Sequence, residues 1–139
     1  MHSVIKNFIL ALFLIFLLGA CETSDDNNPS PIPDVRDKFI GTWNVSETCS
    51  KGNYNASISK DPTNSAQVLL SNFADSRASQ PDTGIVASGR VIVYAQKNSE
   101  DWFIEGTGLY NDNESITWNY TLLISGDAEV CTAIYTKNK

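Results

Sequence analysis

From Phe39 onward the apolar residues fall on alternate positions, and this period of two constrains the fold more than any other feature of the chain. In "SITWNYTLLI" the residues Ile116, Trp118, Tyr120, Leu122 and Ile124 define one face, with polar residues between most of them. Successive side chains of a strand point to opposite faces, so the pattern describes a strand with one side in a core. In "FIGTWNVSETC", Phe39, Gly41, Trp43, Val45 and Cys49 share a face, and Thr42, Asn44, Ser46 and Thr48 the other. "WFIEGTGLY" places Trp102 and Ile104 inside, then Gly106 and Gly108 on the same side. Glycine within a strand marks a sharp bend or a close backbone approach. Further runs at 54–60, 66–72, 84–87, 90–95 and 130–137 are separated by turn residues, among them Asp61-Pro62, Ser88-Gly89 and Gly126-Asp127. The one long connection is 73–83, with room for a helical turn. Eight short strands and no amphipathic helix predict an all-β fold. The expected form is a single antiparallel eight-stranded up-and-down barrel, with a small sandwich as the alternative. Roughly 100 residues suffice for one core only.

The N-terminal segment has a different chemistry. Lys6 precedes eleven apolar residues, Phe8 to Leu18, followed by Gly19, Ala20 and Cys21. A bilayer span needs roughly 20 apolar residues, so this run is read as a cleaved secretory leader. Leu18, Gly19, Ala20 and Cys21 resemble a bacterial lipobox. The resemblance implies cleavage before Cys21, diacylation of its thiol and acylation of the new amine. Each buried CH₂ adds about 0.8 kcal/mol, and two or three acyl chains hold a protein at a membrane. The expected organisation is a lipoprotein signal peptide over 1–20, a lipidated flexible tether over 21–36 and a barrel domain over 37–139. The tether carries three prolines and no apolar period. Its Ser24-Asp25-Asp26 resembles the acidic export signal of surface lipoproteins of Bacteroidota. That likeness implies an outer-membrane protein facing the cell exterior; a plain solvated linker on the periplasmic face is the alternative.

Removal of residues 1–20 leaves nine Lys and Arg against sixteen Asp and Glu, a net charge of −7, and no histidine. So acidic a domain lacks the basic face that nucleic-acid binding requires. Loss of His2 also removes histidine-dependent nucleophiles and histidine metal sites, so neither catalysis nor a cofactor or metal is expected. With Cys21 assigned to lipid, Cys49 and Cys131 form an even pair in an exported chain, and a disulfide is expected. Closing so long a loop contributes roughly 4–5 kcal/mol by the chain-entropy argument. Two buried free thiols are the alternative.

"FIGTWNVSETC" resembles the opening strand of lipocalins and other calycins, whose G-x-W signature is matched by Gly41, Thr42 and Trp43. Together with the G-x-G strand and the late "CTA", the likeness extends over roughly 37–137 to small lipocalin-like lipoproteins of Bacteroidota. It implies a calycin barrel in which Gly41 and Trp43 close one end, Trp43 packing against a late basic residue. The chain departs from that pattern in having no T-D-Y motif and in offering Lys137 where the family has arginine.

An eight-stranded barrel is about wide enough to be filled by side chains or to hold one small ligand. Glu47 shares strand parity with Trp43 and Val45 and either points inward or is solvated at the rim. Trp102, Trp118 and Tyr120 either line a pocket for a small hydrophobic or carbohydrate ligand or pack as core. The function expected is a non-enzymatic binding module, monomeric and held at the membrane through Cys21. The alternative is a structural or protein-interaction lipoprotein with a filled barrel, working through its loops.

Overall fold

The computed structural model describes residues 32–49 and 52–137. The leader over 1–20, Cys21 and the tether as far as residue 31 lie outside the described residues. Eight strands follow a short 3-10 turn at Asp37–Phe39. They are β1 (Gly41–Glu47), β2 (Tyr54–Lys60), β3 (Gln67–Ser71), β4 (Asp82–Ala87), β5 (Arg90–Lys97), β6 (Phe103–Tyr110), β7 (Ser115–Ile124) and β8 (Asp127–Lys137). Each pairs antiparallel with its sequence neighbours, and β1 pairs with β8, so the sheet closes as an up-and-down barrel in the order β1 to β8. Closure leaves no strand with an unpaired edge, which removes the aggregation hazard of an open sheet.

Turn chemistry sets the register of two hairpins. Ser88-Gly89 and Ser125-Gly126 each place both residues at positive φ, the two-residue turn whose twist matches the flanking strands. The β5–β6 pairing slips between Val93 and Gln96. There the Gln96 amide stands in for a ladder residue: its Oε1 accepts from Thr83 N–H at 2.9 Å, and its Nε2 donates to the Thr83 carbonyl at 2.7 Å. The bulge therefore bends β5 without stranding the β4 backbone.

The inward residues build one core containing Trp43, Val45, Ile58, Val68, Leu70, Val91, Ile104, Ile116, Trp118 and Tyr135, each no more than 2% exposed. The β6 glycines serve close approach. A Cβ at Gly108 would stand 2.6 Å from the Trp118 ring, and one at Gly106 would stand 2.4 Å from Tyr120 Cβ. Both lie inside van der Waals contact, so only glycine lets these two bulky side chains lie against the β6 backbone.

Cys49 and Cys131 are joined in a disulfide with Cα atoms 5.5 Å apart, as expected of the pair. The bridge extends the β1–β8 seam just past the end of β1, where Thr48 N–H donates to the Thr132 carbonyl at 3.0 Å.

Candidate functional site

The two ends of the barrel differ in construction. At the end where β1 begins, Trp43 is fully buried and its Nε1 donates to the Phe39 carbonyl at 2.9 Å. Phe39 caps this end and meets Tyr110 edge-on with centroids 5.5 Å apart. Lys137 Nζ lies 5.4 Å from the centre of the Trp43 ring, a cation–π contact with the last strand. Gly41 adopts φ 138°, which turns the chain from the 3-10 segment into β1.

Just upstream, Arg36 is buried, and its Nη1 donates to the carbonyls of Asp61, Asn64 and Gln67 at 3.4, 3.0 and 3.1 Å. Two of those carbonyls belong to the β2–β3 connection and the third to the first residue of β3, so one guanidinium ties the incoming chain to a turn some thirty residues away. Asp34 grips the other side of Arg36 at 2.8 Å and also meets Lys60. Hydrogen bonding from Arg36, then from Lys60, holds the Asp34 carboxyl well below the usual carboxylate range. This end is sealed and locked.

The opposite end, the mouth, gathers ionisable groups. Glu47, the last residue of β1, is half-buried and turned inward rather than free at the rim. It accepts a hydrogen bond from Tyr54 Oη at 2.7 Å and a short one from Tyr120 Oη. Tyr135, fully buried, directs its hydroxyl toward Tyr54 without a well-formed hydrogen bond and lies within electrostatic reach of Glu47 and Asp82. Burial, foremost among the causes, pushes the phenols of Tyr54, Tyr120 and Tyr135 above their usual range. Asp82 opens β4 on the same inward parity as Gly84 and Val86, and only 2% of it is exposed. Burial pushes its carboxyl up to about 6. Its Oδ2, Trp118 Nε1 and Tyr135 Oη are all buried and without a hydrogen-bond partner among the described residues.

The loop between β3 and β4 covers these groups. Phe73 enters the barrel and packs edge-on against Trp118 at 4.8 Å between centroids and tilted against Tyr120 at 5.0 Å. Trp118 in turn contacts Tyr135 at 5.6 Å. To bring Phe73 inward, Asn72, Ala74, Asp75 and Arg77 all adopt left-handed backbone with φ of 49–57°. None is glycine, so each carries a steric cost that the surrounding contacts must hold in place. Those contacts include Asn72 Nδ2 to the Asn55 carbonyl at 2.8 Å and Ser79 N–H to Ser99 Oγ at 2.9 Å.

The structure thus brings Glu47 and Tyr120 together, and places Trp118 and Tyr120 in the aromatic core behind Phe73. Trp102 does not join them. It lies at the rim and shares a recess of about 170 Å³ with Glu47, Cys49 and Ala74. Glu129 lies beside the two sulfurs there, but sulfurs bonded to each other offer no thiolate to a metal. Asp82 and Phe73 escaped the sequence reading, which assigned 73–83 to a loop. The available signal was parity, since extending the alternation of Val86 and Gly84 back two residues turns Asp82 inward.

The architecture is that of an eight-stranded antiparallel barrel compatible with the lipocalin-like fold, with one sealed end and one mouth. No family model and no curated protein matches the chain.

Proposed function

We propose that this chain is a lipid-anchored, non-enzymatic binding module of the outer membrane, facing the cell exterior, whose lipocalin-like barrel receives a small ligand through its mouth. The leader and the Leu18-Gly19-Ala20-Cys21 run support the anchor. The asymmetry of the barrel supports the role, and it is the observation that carries the reading. The chain from the tether is fastened at the sealed end by Arg36, while the inward carboxylates, phenols and unpartnered polar groups collect at the other. The residues that join the tether to the barrel are thus fastened at the end opposite the mouth. Polar groups of this kind are costly inside a core and have no role in packing.

A second reading, an interaction protein with a filled barrel, is favoured by one observation. Tyr94, Phe103, Leu109, Leu123, Val130 and Ile134 are exposed on the outer faces of β5 to β8, Val130 at 78%. Native mass spectrometry of protein purified from its own host separates the two. A fixed small-molecule increment is expected on the first reading. A bare barrel that copurifies with a protein partner, released by Val130→Asp, would favour the second. Cys21→Ser is expected to move the protein from the membrane to the soluble fraction, and unchanged membrane retention would remove the anchor from the proposal.

A further inference from the structure

We propose that the mouth is a closed binding site for a small organic cation, an ammonium group on a flat apolar body, with Phe73 seated where that body would lie. The inference rests on the binding-module reading and narrows it to a ligand class. Glu47 and Asp82 both turn into the barrel, and among the described residues neither forms an ion pair; the ion pairs present involve Asp34, Asp37, Asp75 and Asp101. Two inward carboxylates without a counter-charge in a low-dielectric interior are costly, and a bound cation removes that cost.

The walls fit the same ligand. Trp118 packs against Tyr135, and Phe73 touches both Trp118 and Tyr120, so withdrawal of Phe73 would leave these three rings facing its seat, and aromatic faces attract ammonium groups. Asp82 Oδ2 is an acceptor without a partner among the described residues, on an inward-facing residue only 2% exposed. A purely apolar ligand would leave both carboxylates unanswered, and a neutral glycan would leave their charge. A hydroxyl or carbonyl on the cationic ligand would further satisfy Trp118 Nε1, the one unpartnered group here that can only donate.

Access requires Phe73 to leave. Its ring lies between Trp118 and Tyr120, and the backbone that delivers it is held in left-handed conformation at Asn72, Ala74, Asp75 and Arg77. Withdrawal of one loop relieves that strain and vacates a space shaped for an aromatic or alicyclic ring. Phe73 and the ligand's apolar body therefore compete for one seat, and apparent affinity scales with the fraction of molecules whose loop is withdrawn.

The test is calorimetric titration of the full chain in detergent with phenethylamine, its neutral isostere 2-phenylethanol, and methyl glucoside as a neutral polyol. Phenethylamine is expected to bind at least tenfold more tightly than 2-phenylethanol. Asp82→Asn is expected to lower that ratio several-fold and Asp82→Asn with Glu47→Gln to bring it toward one, and Phe73→Leu to tighten phenethylamine binding several-fold. Phe73→Ala provides a larger opening if the leucine variant still fills the seat. Equal binding of the amine and the alcohol, preference for the glucoside, or an amine preference undiminished in the Asp82→Asn, Glu47→Gln double variant would overturn the cation assignment while leaving a binding module standing. No binding of any probe by the wild type or either Phe73 variant would overturn the cation assignment, and would overturn the binding module as well if protein from its own host also carries no small-molecule increment.

Discussion

Asp82 is a buried carboxyl that forms no ion pair among the described residues, and its behaviour with pH follows from that placement. Its folded-state value is raised to about 6 from 3.8, so between those limits the folded protein holds a proton that the unfolded chain has released. Stability therefore falls as pH rises from about 4 to about 6 and is flat above, by up to about 3 kcal/mol from this residue. Asp82→Asn is expected to flatten that slope in urea unfolding followed across the same range, and an unchanged slope would place its cause elsewhere. Asp34, held low by Arg36 and Lys60, acts in the opposite sense and loses its contribution only as pH falls below 3.8. Glu47 marks how far the sequence could be read. The inward turn of Glu47 was one of two readings open from parity with Trp43 and Val45, because β1 alternates cleanly. Its two phenolic partners were not legible, since Tyr120 lies 73 residues away and only barrel closure brings it near.

The element that sets the state of the mouth is the connection from β3 to β4. All eight strands were legible, several of their ends displaced by a few residues, because each strand buries one face and alternation follows directly from that geometry. The connection was not. Its shape depends on four left-handed residues without a glycine among them, and no local propensity favours such a run. Tertiary contact imposes it: Phe73 is 1% exposed and Ala74 5%, so burial of the plug holds the backbone in place. Ala74→Gly is expected to relieve strain at φ 57° and raise stability by about 1 kcal/mol, read as a higher urea midpoint at unchanged slope. A lowered midpoint would mean that the extra freedom of glycine in the unfolded chain outweighs the strain removed. The β6 glycines show the reverse case. Their pattern announced a close approach or a bend, and the structure shows approach, with the Trp118 ring laid over Gly108.

At the scale of the whole molecule, the barrel is closed by the one ladder that joins the chain's first strand to its last. Five residue pairs run from Trp43 opposite Lys137 to Glu47 opposite Ala133, and the disulfide lies just beyond. Because Cys49 and Cys131 are 82 positions apart, the bridge restricts the unfolded chain over most of the domain. Cys49→Ser with Cys131→Ser is expected to cost about 2–5 kcal/mol, seen as a lower denaturation midpoint that reductant no longer affects. A midpoint equal to that of the oxidised protein would show that the seam needs no bridge. The bridge also has a mechanical consequence. Tension applied through the N-terminal side reaches β1 at the sealed end and would peel it from β2 and β8 one pair at a time. Peeling stops at Cys49, where the covalent link passes the load across to Cys131 and leaves everything between them slack. A pull between the two ends of the chain can therefore spend β1 and the part of β8 beyond Cys131, while β2 to β7 stay within a loop closed by a bond that does not yield.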